Sequence, residues 1–274
     1  MIDEVVSPPS PPAGPRNRFL FAIGAVVLAA LVVVALVWWA PGTGGHRTSG
    51  AAASRSSAVA GPPDGAVTAS PLIAAAVASV VRVTGTARSC GRRLRGSGFV
   101  YAANRVMTPA HVVAGVRGSP TVDDWQGRSF KATVVIFDPG RDLAVLRVPG
   151  LTARALPFRQ KSHVGDAGVI IGYARSGGLT ETPARLRWMN LTRGPDIYHR
   201  RITARQVFTL YGGIGLGMSG GPLVATDGTV SGMVFAADLM DSRDSYALAA
   251  SELGAQADAG RTAVSAVSTG GCSA

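Results

Sequence analysis

The chain has 274 residues and a formal net charge of +11, with only 16% charged and 6% aromatic residues. A hydrophobic content of 47% excludes a chain disordered throughout, which needs low hydrophobicity and high charge density. Almost all the positive charge is arginine, Lys131 and Lys161 being the only lysines. The arginines are scattered rather than gathered into a basic run interleaved with aromatics, so no nucleic-acid partner is expected.

Residues 1–18 carry Ser7, Pro8, Pro9, Ser10, Pro11, Pro12 and Pro15, and are expected to be an extended, disordered cytoplasmic segment. Residues 19–40 contain no charged or strongly polar side chain, and Trp38 and Trp39 close the run. That length suits a spanning helix, and indoles favour the headgroup layer. It exceeds the roughly 7–15 apolar residues of a cleaved signal peptide. A single retained transmembrane helix in the lipid bilayer is therefore expected, with cleavage near Ala51-Ala52-Ala53 as the competing reading. Arg16 and Arg18 abut the run, while Arg47 and Arg55 lie further out, which favours the N-terminus inside. Residues 41–70 are rich in Gly, Ala, Ser and Pro, the composition of a flexible tether. Residues 71–274 remain as the globular part, long enough for one well-buried core or two small barrels.

Within that part the pattern is all-β. Apolar runs at 78–83, 98–102, 132–137, 143–148, 168–172, 207–210, 222–225, 230–236 and 246–249 are rich in Val and Ile. They are bounded by Gly, Pro, Asp or Asn and spaced as in a barrel or sandwich. Asp227-Gly228 predicts a tight turn. Helical signals are confined to a short turn after Pro109 and to 250–257.

Three segments carry candidate chemistry. Gly217-Met218-Ser219-Gly220-Gly221-Pro222 places a serine among glycines just before an apolar strand. Glycines permit a positive φ and close approach of a substrate. The amides of Gly217 and Ser219 could then face a developing oxyanion. In Val106-Met107-Thr108-Pro109-Ala110-His111-Val112-Val113, a strand ends in a turn that carries a histidine. In Arg141-Asp142-Leu143-Ala144-Val145-Leu146, an aspartate heads an alternating strand. Each alone reads as an ordinary turn. Together they supply a hydroxyl, a base to take its proton, and a carboxylate to fix the tautomer of that base.

With these motifs the chain resembles trypsin-like serine proteases, and most of all the membrane-anchored, acid-resistance periplasmic proteases of mycobacteria and other actinobacteria. The likeness includes Gly96-Ser97-Gly98-Phe99-Val100, Thr182-Pro183-Ala184-Arg185 and Gly194-Pro195-Asp196-Ile197-Tyr198. It implies a double β-barrel with the active site in the cleft between barrels, His111 and Asp142 on the first and Ser219 on the second. Pro109 stands where such proteases often carry Ala or Asn, and Met218 where many carry Asp or Asn. Methionine cannot pair with a newly cut N-terminus, so activation by that ion pair is not expected. The proteases it resembles have several membrane helices, and this chain offers one. Cys90 and Cys272, the only cysteines, are either two buried thiols or, in an exported domain, a disulfide. The resemblance implies the disulfide.

The resulting expectation is an anchored, extracytoplasmic (periplasmic or cell-envelope) serine endopeptidase with His111, Asp142 and Ser219 as triad. It would use no cofactor or metal, and it would act on envelope proteins in stress or acid tolerance. A catalytically silent binding or sensing module and an esterase are the alternatives. In this fold the residue six before the nucleophile helps floor the primary pocket. Gly213, with Ile214 and Phe235-Ala236-Ala237, would form it. No acidic residue stands there to receive Arg or Lys, so a small or apolar residue before the scissile bond is expected. His46, His163 and His199 read as incidental, with no metal-ligand spacing among them.

Overall fold

The computed structural model describes residues 61–238 and 240–273. The expected cytoplasmic segment 1–18, the spanning helix 19–40 and the first part of the tether, including His46, lie outside the described residues. Among the described residues no helix is long and apolar enough to cross a membrane. Gly65–Ala69, assigned to the tether from its composition, is a 3-10 turn capped by Asp64, whose carboxylate accepts from the Ala66 amide at 2.9 Å. Its Val67 packs on the core.

Helix α1 (Pro71–Val77) starts with proline in its first turn and buries Ile73 and Ala76. Seven strands follow: β1 (Val80–Ala87), β2 (Arg92–Ala102), β3 (Arg105–Thr108), β4 (Thr121–Asp123), β5 (Ser129–Lys131), β6 (Thr133–Asp138) and β7 (Leu143–Arg147). They form one sheet in the order β5-β4-β1-β2-β3-β7-β6. This ladder is not closed, so the first unit of the expected double β-barrel is an open sheet. The sheet is nevertheless rolled. Its two edge strands, β5 and β6, are joined through Ala132 alone, so the end of β5 and the start of β6 lie within about 7 Å of each other.

Six further strands close into a barrel in the order β10-β13-β12-β11-β8-β9. They are β8 (Ala167–Tyr173), β9 (Leu179–Pro195), β10 (Ile202–Tyr211), β11 (Pro222–Ala225), β12 (Val230–Ala237) and β13 (Asp244–Ala249). The Asp227-Gly228 turn joins β11 to β12, with Gly228 at φ +80°. Every apolar run singled out in the sequence falls on a strand. Most of β9 escapes that reading because its outer half is exposed and arginine-bearing, held by pairing with β10 rather than by burial.

Helix α2 (Ala250–Thr262) runs longer than expected and buries Leu253 and Ala257. Its C-terminal carbonyls are satisfied by the buried Arg105, which donates from Nε to the Gly260 oxygen at 2.6 Å and from Nη2 to Ala263 at 3.0 Å. A cation at a helix C-terminus also meets the negative end of the macrodipole. One apolar cluster, including Phe99, Ile171, Met233 and Leu253, unites the two sheets and both helices. The C-terminal tail lies on the first sheet: the Val267 amide donates to Val134, and the Gly115 amide donates to Thr269. The sulfur atoms of Cys90 and Cys272 meet, with Cα atoms 6.4 Å apart, a separation that a disulfide spans.

Candidate active site

Strand β3 delivers the chain to Pro109, whose φ of −64° starts the 3-10 turn Ala110–Val112. Val112 and Val113 are buried, which pins the turn and leaves His111 with its side chain about one-third exposed. Asp142 precedes β7 at φ +58°, a conformation that costs energy for any residue but glycine and that aspartate tolerates better than most. Its carboxylate is buried and accepts twice from the same residue. His111 Nδ1 lies 2.7 Å from Oδ2, and the His111 main-chain amide donates to Oδ1 at 2.9 Å. Two contacts fix both the ring and its backbone. Burial alone would lower the imidazole pKa, but the Asp142 charge and hydrogen bond outweigh it and raise the pKa above its ordinary value of 6.5.

Ser219 stands across a cleft of about 1190 Å³, whose lining includes His111, Leu216, Gly217 and Ser219. Three glycines near it are required by close approach. Gly217 (φ +94°) would place a Cβ 2.7 Å from the Tyr173 carbonyl oxygen. Gly220 (φ +97°) would strike the Ser97 carbonyl, and Gly221 the Ile171 carbonyl. Among the described hydrogen bonds, the amides of Gly217 and Ser219 have no protein acceptor, as donors kept for a ligand would. Ser219 Oγ donates to the Phe235 carbonyl at 3.2 Å, and no hydrogen bond to His111 occurs. Catalytic hydrogen bonds in apo enzymes are often formed only in the substrate complex.

The sequence reading missed what holds this loop. Ser97 is fully buried between the two sheets. Its Oγ accepts from the Tyr173 amide at 2.8 Å and donates to the Gly217 carbonyl at 2.9 Å. Its own amide donates to the Ser219 carbonyl at 2.8 Å, and its carbonyl accepts from Thr108 Oγ1 at 2.7 Å. One residue of the first sheet thus ties down both ends of the Gly217–Ser219 loop. A serine between two glycines inside an apolar strand was the available signal. Met218 is buried in the closed barrel, and its Sδ accepts from the Gly215 amide at 3.4 Å. It supplies an apolar anchor at the position where an ion pair was not expected.

The five residues expected around a primary pocket are separate from the lining of the His111–Ser219 cleft. The space beside Gly213 is filled by the Ser242 carbonyl. Ile214 packs on the barrel core, Phe235 and Ala236 are half-buried, and Ala237 is exposed. His199, read as incidental, lines the cleft. Among the described residues, no group of three His, Cys, Asp or Glu side chains could hold a metal.

A model of the trypsin-like peptidase domain matches residues 96–233. Serine protease Rv3671c of Mycobacterium tuberculosis is 41% identical over 214 residues, 77% of this chain and 53% of that protein. The chain thus spans about half the length of the curated relatives it matches. The crystal structure of the active form of the Rv3671c protease superposes with a TM-score of 0.75 at 37% identity, covering 86% of this chain and 100% of that one. The HtrA-type protease AlgW, at 23% identity, TM-score 0.61 and coverage of 69% and 62%, shares the fold alone. The chain belongs to the trypsin-like peptidase domain family.

Proposed function

We propose that this chain is a serine endopeptidase, anchored by the helix at 19–40 with its protease domain on the extracytoplasmic side, that cleaves proteins of the cell envelope. The observation that carries the reading is the doubly bonded His111–Asp142 pair, facing Ser219 across one cleft. In the proposed mechanism Ser219 Oγ turns from the Phe235 carbonyl towards His111 and attacks the substrate carbonyl. Its proton passes to His111 Nε2, and Asp142 stabilises the imidazolium. The amides of Gly217 and Ser219 bind the oxyanion. His111 then protonates the leaving amine, and water, deprotonated by His111, releases the acyl group. No cofactor enters this sequence.

Gly213, Ile214, Phe235, Ala236 and Ala237 form the primary pocket in this proposal. Its lack of a carboxylate suits a small or apolar side chain. The Cys90–Cys272 disulfide belongs to the same reading, since it fits an exported domain. A role in acid tolerance has a constraint: the raised pKa of His111 means that turnover weakens as pH falls.

A second reading is a catalytically silent module, favoured by the bond of Ser219 Oγ to Phe235 rather than to His111. Fluorophosphonate labelling of the full-length protein tests the choice. Covalent modification at Ser219, lost in His111→Ala, supports the peptidase; no labelling in either redox state supports the silent module.

A further inference from the structure

The fold gathers arginines that the linear sequence disperses. Arg88 precedes β2, Arg92, Arg93 and Arg95 lie on its exposed first half, Arg117 follows the His111 turn, and Arg175 follows β8. All six are exposed and all six line the cleft that holds His111 and Ser219, whose lining contains no aspartate or glutamate. Elsewhere arginines find carboxylates: Arg128 meets Asp124 at 2.7 Å, Arg159 meets Asp227 at 2.6 Å, and Arg187 meets Asp244 at 2.6 Å. Among the described residues none of the six cleft arginines lies within 4.0 Å of a carboxylate.

Their hydrogen bonds do not neutralise them. Arg95 donates to the Arg175 carbonyl at 3.3 Å and Arg92 to the Ser273 carbonyl at 3.2 Å, while among the described residues Arg88, Arg93 and Arg117 donate no side-chain hydrogen bond. Arg175 adjoins the oxyanion loop, its amide donating to the Leu216 carbonyl at 2.6 Å. Six like charges around one cleft repel one another. A cleft lined by one sign of charge focuses its field and raises the local concentration of oppositely charged ligands.

We propose that the cleft selects acidic polypeptide, binding substrates whose residues flanking the scissile bond carry Asp or Glu. The inference rests on the peptidase reading and concerns the flanking positions, not the primary pocket. An extended peptide is the occupant argued for, because the arginines share one cleft with Ser219 and His111, where a peptide bond must enter.

The test compares two otherwise identical quenched peptides with the full-length protein, one flanked by Glu and the other by Gln. Several partly exposed ion pairs of modest individual strength should together give about a tenfold higher kcat/KM for the Glu peptide at low salt. Near 1 M salt, where the Debye length falls to about 3 Å, the ratio should approach one. Arg93→Glu/Arg117→Glu should invert or erase the preference for the Glu peptide at low salt. A Glu:Gln ratio near one at low salt overturns the inference while leaving the peptidase reading intact. Failure of both peptides together with absent fluorophosphonate labelling overturns both. Binding to the Ser219→Ala protein gives an independent arm. Tighter binding of single-stranded DNA than of the Glu peptide points to a nucleic-acid partner and overturns the inference.

Discussion

Ser97→Ala is the most informative single change outside the triad. The Ser97 hydroxyl is fully buried and joins the Tyr173 amide (2.8 Å) to the Gly217 carbonyl (2.9 Å). Its removal leaves the buried Tyr173 amide without a partner, which costs about 1–3 kcal/mol. For a domain of this size that corresponds to a fall in Tm of roughly 3–10 °C. The Gly217 carbonyl is half-buried and can turn to water, which rotates the peptide plane beside the oxyanion site. Loss of a single oxyanion donor costs about 10²–10³ in kcat, and a partial misalignment should cost roughly 10–100-fold with KM changed by less than about threefold. Thr108→Val separates the effects. It removes the hydrogen bond to the Ser97 carbonyl without touching the Gly217 contact, so it should lower Tm while keeping kcat within about threefold. Steady-state kinetics on one peptide, with calorimetry of all three proteins, reads both quantities. Wild-type kcat in folded Ser97→Ala, or an equal loss of kcat in Thr108→Val, would refute the positioning role.

Ser219→Ala should lower kcat by roughly 10⁴–10⁶ with the fold retained, and unchanged peptidase activity in the purified variant would remove Ser219 from the mechanism. The acid limb of kcat/KM should have its midpoint above pH 6.5, because His111 must be neutral to act as base, and Asp142→Asn should lower that midpoint and cut kcat by about 10⁴. The raised pKa also has a stability sign: the His111 contribution is fully present below the unfolded pKa of about 6.5 and is lost as pH rises through the higher folded value, so a pair-specific Tm gain seen only at alkaline pH would contradict it. Reduction of Cys90–Cys272, which closes a loop across a separation of 182 residues, should cost up to about 5 kcal/mol and lower Tm by up to roughly 10–20 °C; free thiols at both positions in protein from the envelope would exclude the bond.

The strands were legible because short apolar runs bounded by turn residues need little context, as Val230–Ala237 and Leu143–Arg147 show. Helix α1 was not, since Pro71–Val77 buries only two residues and carries no charge pattern. That the first sheet stays open was also beyond local reading: Ala132 alone separates β5 from β6, yet the two strands do not pair. At the candidate site, His111, Asp142 and Ser219 could be singled out from the sequence because each sits in its own short motif, and the structure bonds His111 to Asp142 and sets His111 and Ser219 in one cleft. Ser97 was not, because its partners Tyr173 and Gly217 lie 76 and 120 residues away, and only the packing of the two sheets brings them together.

The same distinction explains Met218. A buried aspartate at that position would be an uncompensated charge without a partner cation, at a cost of several kcal/mol. Methionine carries no charge and fills the closed barrel beside Phe208 and Leu210. The loop from Gly215 to Ser219 is then held from below by apolar burial and a weak amide–sulfur contact, and from the side by Ser97. Both restraints lie within the described domain, and neither uses a free chain terminus. A Gly215–Ser219 loop held by a buried thioether and a cross-sheet hydroxyl is organised by folding itself.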